Sequence, residues 1–281
     1  MLLLALALVA CAVCGCAGNA DYLVPERLSQ GLVFCLDGVG GYNWGPQWLR
    51  DGLDEAGVKS AIYIFPWGHG PAGMFLADLM DETGNRKRAA ELARLVENYQ
   101  KYYPGRPVYL IGHSGGAGIV VFALEAMKPG AQVDGVFLLA PALDPSRNLA
   151  PALVHVRTNI YVTHSATDVA LMVLGTSTFG TIDRKHTVGA GLLGFHVPAG
   201  LSEADLEQYR KLRQAGWDTA LLTKGNLGSH MSWTTAAFAR EYIAPILLGR
   251  EASPLFKAAV GPADNATGVS DSGFVGRGGG I

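Results

Sequence analysis

The stretch that most constrains this chain is Val108 to Ala126, VYLIGHSGGAGIVVFALEA. An apolar, β-type run passes through Gly112-His113-Ser114-Gly115-Gly116 into a run of helical character. A nucleophilic serine on a strand–turn–helix unit needs this pattern. The serine sits at a sharp, strained turn, and glycines two before and two after it let strand and helix approach without a Cβ clash. The first N–H groups of the new helix, and its dipole, then favour negative charge beside the serine. The chain carries 37 glycines, so the pentapeptide could also be an ordinary strand-to-helix turn. The flanking strand and helix carry the weight of the nucleophile reading.

The surroundings of this unit read as alternating strands and helices. Continuous apolar runs at Gly31–Leu36, Ala61–Phe65, Val133–Ala140 and Asn159–His164 suit strands buried on both faces, and Asp218–Thr223 reads as the last strand. Helices are predicted over Trp44–Ala56 and Asn85–Tyr103. The second shows an apolar stripe of Ala89, Leu92, Ala93, Val96 and Tyr99, and ends at Pro104-Gly105. A polar helix is predicted over Ser202–Ala215 and another over Thr234–Leu248, with His155 in a further helical stretch. This alternation predicts an α/β fold with a mostly parallel central sheet and helices on both faces.

A serine hydroxyl needs a base within hydrogen-bond reach, and the base needs an orienting acid. Asp168 lies a few residues past the strand at Asn159–His164, where such an acid belongs, and Asp144 in the preceding loop is the alternative acid. Either could instead be a turn or cap aspartate. His230 lies in a glycine-containing loop before a helix, the place for the base. His164 precedes the acid, His186 and His196 fall in the long connection between acid and base, and His113 reads as a packing or support residue. After the first strand comes Asp37-Gly38-Val39-Gly40-Gly41. Asn43 stands where a dinucleotide fingerprint needs its third glycine, so that reading is set aside. A plain glycine turn and an oxyanion-binding loop remain. Trp67 and His69 follow the second strand and carry no assigned role.

With LDGVGG at 36–41, GHSGG at 112–116, Asp168 after a strand and His230 after the last one, the chain resembles an α/β-hydrolase-fold serine hydrolase of the lipase and esterase type over about Gly31 to Gly249. The resemblance implies an ester or related acyl bond cleaved through an acyl-enzyme. It also implies an oxyanion hole formed by the backbone N–H groups of Val39 and Gly115. Asp37 departs from it, because many relatives carry His before the glycine. Acyl transfer on the same triad, and a non-catalytic surface binding protein on the same fold, are the alternatives. The substrate expected is a small-molecule or lipid-like acyl compound.

The 281 residues suit one domain over 21–260, with 169–217 a cap or insertion. A formal net charge of −2 and no long basic run give no argument for nucleic acid. No metal or cofactor is indicated: there is no HExxH and no phosphate loop. Residues 1–20 read as a signal segment, with an apolar run from Leu2 to Val13. Cys11, Cys14 and Cys16 resemble a bacterial lipoprotein signal, with Cys16 or Cys11 lipidated; simple cleavage near Ala17 is the alternative. The expectation is an exported chain, lipid-anchored at a bacterial membrane or otherwise secreted or periplasmic. Cys35 falls in a predicted core strand, so no disulfide framework is foreseen once the leader is removed. Residues 261–281 are glycine-rich and predicted to be a disordered tail.

Overall fold

The computed structural model describes residues 18–70, 73–168 and 180–260. The leader through Ala17, the tail from Gly261 and the stretch 169–179 lie outside the described residues. Seven strands form one sheet: β1 (Leu32–Leu36), β2 (Ala61–Ile64), β3 (Val108–His113), β4 (Gly135–Leu139), β5 (Ile160–His164), β6 (Leu212–Gly216) and β7 (Lys257–Ala258). Their order is β2-β1-β3-β4-β5-β6-β7, and every pairing is parallel except β6 with β7. β1, β2 and β4 are buried along their whole length, as their unbroken apolar sequences require.

Alternate residues of each strand serve opposite faces. Val33, Cys35, Ile62, Ile111, Phe137 and Leu139 pack with Leu49 and Leu53 of α1 (Trp44–Glu55), and with Trp233, Phe238 and Ile243 from the C-terminal helical turns. Phe34, Leu36, Leu110, Val136 and Leu138 pack on the other face. There they meet α3 (Glu82–Tyr102) and α4 (Gly115–Ala126), α3 following the short helix α2 (Phe75–Met80). Asp81 caps α3 by accepting from Gly84 N–H, and the helix buries Ala89, Leu92, Ala93, Val96 and Tyr99, the predicted stripe. α4 is buried on every side from Gly115 to Leu124 because α3 covers it from outside the sheet.

The sheet reverses its building direction between β1 and β3, which are neighbours in register Leu36↔Gly112. The loops after these strands therefore diverge and open a crevice at the carboxyl ends, where open parallel sheets bind ligands. This places the glycine loop at 37–41 beside the serine turn.

Four sequence expectations differ from the structure. Asp218–Thr223 is not a strand: Thr219–Lys224 is a 3₁₀ helix capped by Asp218, with only Leu221 buried. The last parallel strand is β6, inside the stretch predicted as a helix. Only Glu203–Tyr209 of that stretch is helical. Pairing with β5 from Ile160↔Leu212 to His164↔Gly216 outweighs the local helix preference of LRQAG. The Gln214 side chain further ties β6 to Phe195, bonding its N–H and C=O at 2.7 and 2.8 Å. The helix expected over Thr234–Leu248 is broken into a 3₁₀ turn (His230–Thr234), one α-turn (Ala236–Phe238), a π segment (Ala239–Ile243) and a final turn (Ala244–Leu247). His155 follows a single helical turn, Ala150–Leu153, rather than lying in a helix.

Of residues 169–217, the described part from Gly180 onward packs on the domain: Ile182 sits over Gly118 of α4, and the N–H groups of Ala190 and Gly191 bond the carbonyls of Leu143 and Pro141.

Candidate active site

Ser114 joins β3 to α4 with φ 51° and ψ −118°, a conformation few non-glycine residues adopt. The turn is held by Ser114 N–H donating to Leu139 C=O at 2.9 Å, and by its own carbonyl accepting from Ala142 N–H at 3.1 Å. The flanking glycines are required. A Cβ on Gly112 would lie 2.6 Å from the Gly116 carbonyl oxygen, and one on Gly116 would lie 2.3 Å from the Asp37 carbonyl oxygen. The second contact shows how closely the loop after β1 presses on the serine turn.

That loop is fastened at several points. Trp67 Nε1 donates to the Asp37 carbonyl at 2.9 Å, Gly40 N–H donates to Asp78 Oδ2 at 2.7 Å, and Asn43 N–H donates to the Asp37 carboxylate. Burial pushes the Asp37 carboxyl up, against the pull of its backbone donors. Asp78 is itself buried, and its other oxygen accepts from His69 N–H at 2.6 Å. The His69 ring bridges Asp78 (3.1 Å) and Asp81 (2.7 Å). Its pKa is raised, first by the bond to Asp81 and, against some desolvation, by Asp78. Val39 touches the start of α4: a Cβ on Gly115 would sit 2.8 Å from Val39 Cγ1. Among the described residues neither Val39 N–H nor Gly115 N–H has a protein acceptor, so both donors are left open next to the serine turn.

His230 opens a 3₁₀ turn whose Ser229 and Ser232 form a reciprocal cap. Its Nδ1 lies 2.5 Å from Asp168 Oδ2, and both residues are buried. A carboxylate oxygen accepts, so Nδ1 carries the proton, and in the neutral ring that leaves the lone pair on Nε2. Thr167 Oγ1 donates to Gly228 C=O at 3.0 Å, tying the Asp168 loop to the His230 loop next to this contact. Asp144 is not in contact with His230. Its Oδ1 accepts from Ser146 N–H at 2.9 Å, as a turn aspartate does.

His113, predicted as a support residue, bridges the two halves of the site. Its Nε2 donates to the His230 carbonyl at 3.1 Å, and the two rings lie 4.6 Å apart. Complete burial, with His230 nearby, pushes its pKa down to about 3, so it stays neutral. Its Nδ1 is buried without a partner among the described residues.

Ser114, Val39 and Gly115 thus meet at the crevice, with His230 linked to the serine turn through His113 and paired with Asp168. Sequence reading did not foresee the parts played by Asp78, Trp67 and Thr167. A lone acid in the apolar run Phe75–Met80 was the one signal that could have marked Asp78.

The sequence matches the family model described as serine aminopeptidase, S33, over residues 29–178, which spans β1 to β5 and includes Ser114 and Asp168. No curated protein matches the sequence. Among solved structures the chain is similar to a cutinase-like protein from Cryptococcus sp. (15% identity, 79% of this chain and 97% of that one, TM-score 0.42). It is also similar to TT1662 from Thermus thermophilus (16% identity, 78% and 88%, TM-score 0.47). A third is a lipase-esterase related protein from Clostridium acetobutylicum (10% identity, 81% and 97%, TM-score 0.45). With more than half of its length matched by the family model, the chain belongs to the S33 serine hydrolases, on the α/β-hydrolase fold.

Proposed function

We propose that this hydrolase cleaves an ester or closely related acyl bond through Ser114, His230 and Asp168. The observation that carries the proposal is the buried 2.5 Å contact of His230 Nδ1 with Asp168, which His113 joins through the His230 carbonyl to a serine held at φ 51°. Ser114 Oγ attacks the acyl carbonyl as its proton passes to His230 Nε2. The imidazolium is stabilised by Asp168 and hands that proton to the leaving oxygen as the carbonyl–oxygen bond breaks. Water, deprotonated by the same histidine, then releases the acid and restores the serine. Val39 and Gly115 N–H groups stabilise the oxyanion of both tetrahedral intermediates. The reaction needs no cofactor.

The test is labelling by a fluorophosphonate together with turnover of short p-nitrophenyl esters. The wild type labels and turns over; Ser114→Ala does neither. A wild type that fails to label sinks the proposal. A panel of aminoacyl amides run beside the esters decides the bond type, and alcohol added to the ester assay reveals acyl transfer by a new ester product.

The apolar leader with Cys11 and Cys16 supports export with lipidation at one of these cysteines. Among the described residues no helix is long and apolar enough to cross a membrane. Palmitate incorporation on expression in a bacterium, lost in Cys16→Ser or in Cys11→Ser, identifies the residue; absence of incorporation removes the anchor.

A further inference from the structure

Two stretches beside the serine turn send apolar side chains into solvent. Gly38–Leu49 contains no charged residue, and the only charge in Gly73–Met80 is the buried Asp78. Tyr42, Trp44, Trp48, Met74, Phe75 and Leu76 are between 42% and 57% exposed. Three of them meet, the Tyr42 ring lying 5.1 Å from Trp44 and 5.9 Å from Phe75, and Trp48 follows Trp44 by one turn of α1. This face is continuous with the loop that holds Val39, since a Cβ on Gly40 would fall 2.6 Å from the Phe75 ring. An exposed apolar patch of this kind marks a binding surface.

The N-terminal end of the described chain says what surface lies opposite. Asn19 is fastened to the edge strand, its side-chain amide bonding both N–H and C=O of Ile64 at 3.0 and 3.1 Å. The Gly18 carbonyl accepts from Arg50, on the same helix α1 that carries Trp44 and Trp48. Ala17 alone separates Gly18 from Cys16, and the run before it, Leu2–Val13, is wholly apolar. Fully extended, Cys16 reaches at most about 7 Å from Gly18, and Cys11 about 25 Å. A leader held in a lipid phase therefore keeps α1 at the surface of that phase.

We propose that Tyr42, Trp44, Trp48 and Phe75 form a docking face for a lipid bilayer. Indole and phenol rings settle at the headgroup level, with the apolar body in the acyl boundary and the polar tip in water. The side chains proposed to enter the bilayer carry no charge to dehydrate, and the acids of the same α1 stripe, Asp51 and Glu55, come only after Trp48. Apolar area placed in the acyl boundary adds to whatever attachment the leader supplies. The docking does not depend on the reaction assigned to Ser114, and it turns the Val39 loop toward the bilayer.

The experiment uses the full chain and phosphatidylethanolamine–phosphatidylglycerol vesicles, with and without brominated acyl chains. The wild type floats with the vesicles, bromolipid quenches its tryptophan emission, and iodide access to its tryptophans falls on vesicle addition. Of the five tryptophans, Trp67 and Trp233 are buried and Trp217 is half-buried with its Nε1 donating to the Asn226 carbonyl, so the two exposed to solvent are Trp44 and Trp48. The Trp44→Phe/Trp48→Phe chain floats but loses most of the bromolipid quenching. Equal quenching in both chains, a floating wild type that is not quenched, unchanged iodide access, or failure to float each overturns the proposal. So does a dimer without vesicles whose emission ignores bromolipid, which would give the face to a second copy of the chain. Fluorophosphonate labelling of the same samples reads Ser114 separately, so failure of the reaction and failure of docking are told apart.

Discussion

His113 and Ser114 are adjacent, yet their surroundings ask different things of them. In the proposed reaction Ser114 presents a nucleophilic oxygen, whereas His113 stays neutral and holds the carbonyl of His230. An unfolded chain takes up a proton on this imidazole near pH 6.5, whereas the folded chain refuses it until about pH 3. The unfolded state thus binds more protons in that window, and stability falls as pH drops through it. The expected loss between pH 7 and 4.5 is on the order of 2 kcal/mol from this residue. Urea unfolding of wild type and His113→Gln at both pH values measures it, and the variant should lose less. Asp168→Asn keeps the packing but removes the anion facing His230 Nδ1. If the proposed roles hold, kcat falls by about 10⁴-fold with little change in melting temperature. Steady-state ester kinetics and a thermal scan check both parts.

At the scale of elements, the serine turn and the loop after β1 behave as one unit. The Gly116 contact with the Asp37 carbonyl leaves no room for a methyl group. Gly116→Ala is expected to cost more than about 3 kcal/mol or to prevent folding, each kcal/mol lowering Tm by about 2–4 °C. Gly57, with φ +90° and nothing near its Cβ position, is the control, where alanine pays only backbone strain of about 1 kcal/mol. Asp78 acts through Gly40 and is a positioning residue for the proposed oxyanion loop. In Asp78→Asn the anionic acceptor for Gly40 N–H is gone. Ester kcat should fall while KM stays near its wild-type value, and the His69 titration seen by NMR should move down because one of its two carboxylates is lost. A KM rise with unchanged kcat would assign Asp78 to substrate binding instead.

For the molecule as a whole, β1 is the hinge of the topology, paired with β2 on one side and β3 on the other. Cys35 lies within it, fully buried and free, with burial raising its thiol pKa to about 12. Its alkylation should follow global unfolding alone. Peptide-level mass spectrometry after iodoacetamide in increasing urea checks this, and labelling of Cys35 well before the main transition would reveal a local opening of the sheet.

By itself the sequence determined the features that local physics decides. Unbroken apolar runs specify β1 to β5 as buried parallel strands, and GHSGG between a strand and a helix specifies the strained serine, because only glycine tolerates those contacts. The α/β class follows from that alternation. Tertiary structure decided what depends on partners far along the chain. LRQAG is a strand only because β5 offers it a partner edge, so the strand expected at 218–223 belongs at Leu212–Gly216. The His230–Asp168 contact spans 62 residues, and the bonds of His113 to His230 and of Gly40 to Asp78 span 117 and 38. No periodicity encodes such distances: they are settled only when the whole sheet closes and brings its loops to one edge.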